Sequence, residues 1–273
     1  MTPPPSLRIL GCRGSVPVAG DRFLRHGGAT TAFLVTTPHG HLHIDAGSGL
    51  LDAPKADPLT PRVILLTHAH WDHICGLPHF PPLYDGRTPL EIAATPRHNQ
   101  PPEALLDLLF APALFPVHPA HLRASPVTTT PLPPTGSLER FGLLVDWCEV
   151  PHPGGASAVR VRTPSTSTVL VPDCELHALQ DSALLELAQG ADHLLLDAHF
   201  DDHELPAHRG WGHSSASEAA HFARKAGVRQ LWLFHHAPWR TDTLLDDHVH
   251  RARRIFPNTS AAFAGLTLPL HAP

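Results

Sequence analysis

The sequence predicts an α/β (α+β) fold in which layered sheets carry helices on their outer sides. Three observations lead there. Short apolar runs separated by turns fill the first third of the chain, and strand and helix patterns alternate in the last third. The hydrophobic content of 42% over 273 residues is enough for one large core. In order, runs at 7–10, 32–35 and 41–44 each end at glycine or a turn-forming residue and read as strands. The aliphatic run 63–66 reads as a strand buried on both faces. Residues 81–134 are proline-rich and read as irregular, with one helical stretch over 102–109. Strand patterns return at 143–149, 158–161, 168–171 and 194–196, and a helix is expected over 178–188 between the last two. A helix over 215–225, a strand over 230–234 and a helix over 243–255 complete the chain. Ser214 or Ser215 is placed to cap the first of these helices, and Gly227 to stop it. No linker or repeat interrupts the pattern, so one domain over 1–273 is expected, with a proline-rich cap segment around 80–134.

Composition excludes several classes. Lys+Arg total 20 against 25 Asp+Glu, giving a formal net charge of −5, and Lys55 and Lys225 are the only lysines. A basic surface for long nucleic acid is therefore not expected. The four cysteines, Cys12, Cys75, Cys148 and Cys174, are far apart and form no CxxC pair, which argues against a zinc ribbon or a disulfide scaffold. No apolar run approaches the ~20 residues of a membrane span, and the first fifteen residues lack a basic stretch followed by an apolar one. A cytoplasmic protein without membrane contact is the expectation. The compositional outlier is histidine, with 24 copies.

Residues 67–73 read Thr-His-Ala-His-Trp-Asp-His, directly after the aliphatic run. His68 and His70 are two apart and point the same way in an extended segment, while Asp72 and His73 follow where the chain should turn. Three imidazoles and a carboxylate this close suit a pair of borderline metal ions.

This segment resembles the signature of the metallo-β-lactamase superfamily. Gly11-Cys12-Arg13-Gly14-Ser15, His26-Gly27-Gly28, Asp45-Ala46-Gly47 and Gly76-Leu77-Pro78 resemble one branch of it, which holds phosphodiesterases acting on cyclic phosphates and, more distantly, ribonuclease Z. The resemblance implies a four-layer αββα sandwich with metals at one sheet edge. It implies His68, His70 and His152 on one Zn²⁺ or Mn²⁺ ion, Asp72, His73 and His235 on a second, and Asp173 shared. Read from the residues alone, His152 could be a loop histidine and Asp173 a helix cap, and His236 competes with His235. Asp45 is expected to hold the ligand loop, and Cys174 to be buried packing. In ribonuclease Z-like relatives a dyad stands at the leaving group. Asp197 and His213, in Gly-Trp-Gly-His-Ser, match its positions, although those relatives carry Glu where Asp197 stands; a helix-start His bonded to its own backbone is the alternative for His213. His26 and Ala29 depart from the Tyr and Asn of the cyclic phosphodiesterases. Arg13, His208 and Arg209 are candidates for phosphate contact or for solvated side chains.

The expected activity is hydrolysis of a small phosphodiester (a cyclic nucleotide, cyclic dinucleotide or phosphoribosyl cyclic phosphate) by attack of a metal-bridging hydroxide, with His213 as general acid. Only 21 positions separate His152 from Asp173 (173 − 152), enough for one hairpin and not for an RNA-gripping arm. A ribonuclease Z-like RNA 3′-end endonuclease is the alternative; a thioester or lactone hydrolase and a non-catalytic sensor stand outside that class. The resemblance allows a homodimer. Phe80, Tyr84, Phe110 and Phe115 form either a hydrophobic cap over the metals or simple loop packing.

Overall fold

The computed structural model describes residues 4–98, 100–117, 122 and 127–271; within the expected cap segment, residues 99, 118–121 and 123–126 lie outside the described residues. One sheet is built from β1 (Ser6–Gly11), β2 (Ala32–Thr37), β3 (Gly40–Ile44), β4 (Arg62–Leu66), β5 (Leu90–Ala94), β6 (Val127–Pro131) and the last strand, β14 (Thr267–Pro269). Its order is β14-β1-β2-β3-β4-β5-β6, antiparallel as far as β3 and parallel from there to β6. The second sheet holds β7 (Gly136–Arg140), β8 (Leu143–Val150), β9 (Ala156–Arg162), β10 (Ser167–Val171), β11 (His193–Asp197), β12 (Gln230–Phe234) and β13 (Thr259–Ala261). Here β7 to β10 are antiparallel and β10 to β13 parallel.

Alternation along the strands stacks these sheets. Leu7, Ile9, Phe33, Val35, Val63 and Leu65 of the first sheet meet Val145, Trp147, Val159, Leu170, Leu195 and Phe234 of the second in a central core. The residues between them face outward: Leu34, Ile64 and Leu66 join an outer core with Ile92, Leu109 and Phe110. Val169, Val171, Leu194 and Leu196 join another with Leu184, Ala219 and Ala223. Helix α1 (Trp71–Ile74) and α2 (Pro102–Leu109) lie over the first sheet. Helices α3 (Ala183–Ala188), α4 (Ala216–Ala226) and α5 (Asp242–Arg253) lie over the second. The result is the expected αββα sandwich. Ser215 caps α4 through a capping box with Glu218, and Gly227 ends it at φ 64°. Among the described residues, no helix is long and apolar enough to cross a membrane.

Two expectations are corrected, and one open alternative is narrowed. Residues 81–134 are not merely irregular, because they hold β5 and β6; β5 is five residues after a proline, and β6, Val-Thr-Thr-Thr-Pro, is an edge strand with no fully buried residue and so no apolar alternation. The edge strand β7 escaped the sequence pattern for the same reason, and β13 and β14, three residues each, are too short to show an alternation. The helix expected over 178–188 spans only Ala183–Ala188, because Asp181 accepts the Ala183 N–H and starts it late. Of the four cap aromatics, Phe80 and Phe110 are buried in the outer core and Phe115 packs on Phe110 with ring centroids 5.3 Å apart, which favours packing over a cap.

Candidate metal centre

The carboxyl ends of β3, β4, β8, β10, β11 and β12 open on one edge of the sandwich. Each expected site residue follows one of those ends, apart from Asp197, which is the last residue of β11, and His213, which stands just before α4. Thr67 leaves β4 with its N–H bonded to Asp45 Oδ1 at 2.8 Å, and the Thr67 hydroxyl donates to the same carboxylate. Asp45 Oδ2 also accepts the His73 Nδ1–H at 2.8 Å. A fully buried Asp45 at φ 59° therefore ties both ends of the His-Ala-His-Trp-Asp-His loop. Helix α1 begins immediately after His70 and carries Asp72 and His73 in its only turn.

Around this loop the structure brings all seven expected side chains together. Ligand atoms of His68, His70, His152 and Asp173 lie within 4.8 Å of one another, as do those of Asp72, His73 and His235. The Asp173 carboxylate stands between the groups. Its Oδ2 is 3.7 Å from His68 Nε2 and 3.6 Å from His152 Nε2. Its Oδ1 is 3.0 Å from His73 Nε2 and 3.4 Å from His235 Nε2. His73 Nε2 and Asp173 Oδ1 are buried and approach each other without hydrogen-bond geometry, so each keeps an unshared donor or acceptor site facing the cluster. Asp173 is 2% exposed and caps no helix.

The electrostatics point the same way. Burial drives the His68 imidazole well below its ordinary pKa, leaving it neutral with a lone pair to offer. Burial opposes charge on His73 and Asp173 as well, but their mutual attraction outweighs it: the carboxylates of Asp173, Asp72 and Asp45 hold His73 well above the ordinary value, and His235, His73 and His68 hold Asp173 well below. The cluster thus has negative charge to be neutralised, by a proton on His73 or by a cation in its place. The donor set of imidazole nitrogens and carboxylate oxygens suits Zn²⁺ or Mn²⁺.

Local backbone fixes which residues point inward. His235 stands at φ 57°, directly after β12, and aims Nε2 at Asp72 Oδ2, 3.2 Å away. Its neighbour His236 turns the other way and donates Nε2–H to the Ala262 carbonyl at 2.9 Å. His152 Nδ1–H donates to the Gly212 carbonyl at 2.9 Å, which leaves Nε2 toward the cluster. Gly212 has φ 85°, and a Cβ there would lie 2.2 Å from His152 Nδ1. Gly212→Ala is expected to displace His152 or the 210–213 loop and to lower metal affinity and turnover by roughly 10- to 100-fold, as loss of a ligand's hydrogen-bond support does, measured by metal titration and steady-state kinetics.

His213 stands at the mouth of the cluster, its Nδ1–H donated to Asp197 Oδ2 at 2.8 Å, and not to its own backbone. Asp197 is fully buried and also accepts the Cys174 and His199 N–H groups. Burial would lower the His213 pKa, but Asp197, with Asp173 and Asp72 beyond, outweighs it and pushes the imidazole up to about 9. Cations in the cluster would draw that value back down.

Two residues escaped sequence reading. His199 stacks on His213, ring centroids 4.5 Å apart at 16°, and donates Nδ1–H to the His235 carbonyl. Its signal was the Asp197-Ala198-His199 spacing of two at a strand end. Glu175 accepts the N–H groups of Gly210 and Gly212 and so holds the His213 loop. Neither phosphate contact nor solvation describes Arg13, which is fully buried and donates to the Gly27 and Arg240 carbonyls. Arg209 pairs with Glu218, and His208 donates to the Glu204 carbonyl and stacks on Phe200. Cys174 lies in the outer core under α4.

A family model described as a beta-lactamase superfamily domain matches residues 41–236. An uncharacterized protein of Mycobacterium tuberculosis is 30% identical over 275 residues, covering 92% of this chain and 86% of its own. Ribonuclease Z of Brevibacillus brevis is 40% identical over 84 residues, a stretch that covers 29% of this chain and only 26% of that relative's length. The metallo-beta-lactamase fold protein YhfI from Bacillus subtilis superposes with a TM-score of 0.74 at 21% identity, over 97% of this chain and 98% of its own.

Proposed function

The chain belongs to the beta-lactamase superfamily, and from that premise we propose that it is a metal-dependent hydrolase of a small phosphodiester: a cyclic nucleotide, a cyclic dinucleotide or a phosphoribosyl cyclic phosphate. The observation that carries this reading is the Asp173 carboxylate, one oxygen toward each of two histidine-containing groups, with the His213–Asp197 pair beside it.

His68, His70 and His152 would hold one divalent ion, Zn²⁺ or Mn²⁺, and Asp72, His73 and His235 a second, with Asp173 common to both. Such a pair lowers the pKa of water toward ~7 and offsets charge growing on phosphoryl oxygens. The protein's own part is orientation and proton handling. Asp45 and the Gly212 carbonyl fix the tautomers of His73 and His152. The Ser15 N–H, 2.7 Å from Asp72 Oδ2, holds that carboxylate in place. His213, with Nδ1–H committed to Asp197, keeps Nε2 to hold a proton for a departing alkoxide, which is too basic to leave unprotonated at neutral pH.

Small size of the substrate is supported by the segment between His152 and Asp173. It is the hairpin β9–β10, closed by a turn in which Thr163 and Thr166 bond each other, and the net charge of −5 does not favour a polyanion. The 84-residue likeness to a ribonuclease Z favours a second reading, an RNA 3′-end endonuclease.

The test is chelation and add-back. Turnover is expected to fall by at least about 10²-fold when metal is stripped, and to return with Zn²⁺ or Mn²⁺. The substrates are 2′,3′-cyclic, 3′,5′-cyclic and cyclic dinucleotides beside a precursor transfer RNA. Cleavage of the RNA alone selects the second reading. Turnover of thioesters or lactones with every phosphodiester untouched overturns both.

A further inference from the structure

A cavity of about 430 Å³ adjoins the cluster, and His68 and His70 form part of its wall. Opposite them stand Leu105 and Leu108 of α2 and, beyond the helix, Leu114; Trp71, 58% exposed, stands beside His70. The volume lies at the low end of the ~300–1,000 Å³ of small-molecule sites, room for one ring system and not for a stretch of chain. Its polar edge is built and held. Arg97 and Gln100 pair through two backbone hydrogen bonds. The Arg97 guanidinium is fixed by Glu149 at 2.5 Å and by Ser157 at 3.0 Å, and its Nε–H is buried with no partner among the described residues. His98 follows at φ 50°, a strained backbone on the same edge.

Resting on the phosphodiesterase reading, we propose that this cavity is the subsite for the substrate's nucleobase, with the phosphate at the histidine cluster. The occupant is a planar ring with apolar faces and hydrogen-bonding groups on its rim: the leucines and Trp71 take the faces, and the Arg97–Gln100 edge meets the rim. An aliphatic acyl chain would satisfy the leucines and leave the polar Arg97–Gln100 edge without a counterpart.

The test fills the cavity in the full-length, metal-loaded protein, with Leu105→Trp and, because Leu114 is exposed and tolerates change without refolding the core, Leu114→Trp. The substrates are cyclic AMP and ribose 3′,5′-cyclic phosphate, which lacks the base. Both variants are expected to raise KM for cyclic AMP about tenfold or more, with kcat within about threefold, and to leave KM for the base-free compound unchanged. Equal changes for both compounds, or none, overturn the proposal. Binding of 5′-AMP and ribose 5-phosphate by calorimetry probes the cavity without turnover. The wild type is expected to prefer AMP and the variants to lose that preference; a wild type without the preference, or variants that keep it, overturns the subsite. Absence of phosphodiester hydrolysis in the wild type refutes the reaction assigned above and leaves this binding arm to decide the cavity.

Discussion

Asp173→Ala is expected to lose both cations and three to four powers of ten in turnover, the several kcal/mol a metal pair contributes to charge stabilisation. Among the described residues, no other side chain of the cluster stands between both groups: its two oxygens lie within 3.0–3.7 Å of four different imidazoles. Removing a single histidine deprives one group of one nitrogen, whereas removing this carboxylate takes an oxygen from each and unbalances the charge of the whole pocket. Asp173→Asn sharpens the comparison. The amide keeps the shape but carries no charge, and its NH₂ would point a donor at imidazoles or cations that need an acceptor. Metal content by mass spectrometry, turnover and far-UV dichroism are read together: both variants are expected to stay folded and to be metal-poor. A folded Asp173→Ala protein that retains two ions and full turnover would refute the shared-carboxylate arrangement.

How much of this was legible in the sequence follows the range of each interaction. The His68–His73 loop is local, and its strand of entry is an aliphatic run buried on both faces, so motif and element could be read together. The strands of the two inner faces announced themselves through burial; β6 and β7 have no fully buried residue, β13 and β14 are three residues long, and β5 is a five-residue strand inside a proline-rich stretch, so each leaves too little side-chain pattern to find. The choice between His235 and His236 was open because adjacent residues at a strand end exchange faces with one backbone dihedral; the left-handed conformation of His235 aims its ring at the cluster while His236 turns to the Ala262 carbonyl. Gly212 supports His152 from 60 residues away, and Glu175 supports the Gly210–Gly212 backbone from 35 or more. In each pair one partner is a backbone group, which every residue possesses, so the pairing leaves no matched residue types to read, although Gly212 itself is required by its φ of 85°.

The second large effect separates proton delivery from metal binding. His213→Ala is expected to lower kcat on a cyclic nucleotide by ~10²–10⁴-fold, the usual share of a general acid, with metal content unchanged. The geometry requires this split. His213 Nδ1 bonds Asp197 at 2.8 Å but lies 4.0 Å from Asp173 Oδ2, and the groups around Asp173 already hold six other side chains. The loss should depend on the leaving group. A sugar alkoxide needs the proton; a p-nitrophenolate leaves at neutral pH without one, so with a p-nitrophenyl phosphodiester the same substitution is expected to cost less than about tenfold. Asp197→Asn should follow the same dependence with a smaller loss, because the imidazole stays but its tautomer and charge are no longer held by a carboxylate. The alternative for His213 is a third cation ligand with His199 and His235, whose ring nitrogens lie within 4.8 Å of its own. Under that arrangement His213→Ala loses metal and the loss is equal for both leaving groups, so metal content and leaving-group dependence, measured on one preparation, decide between the two.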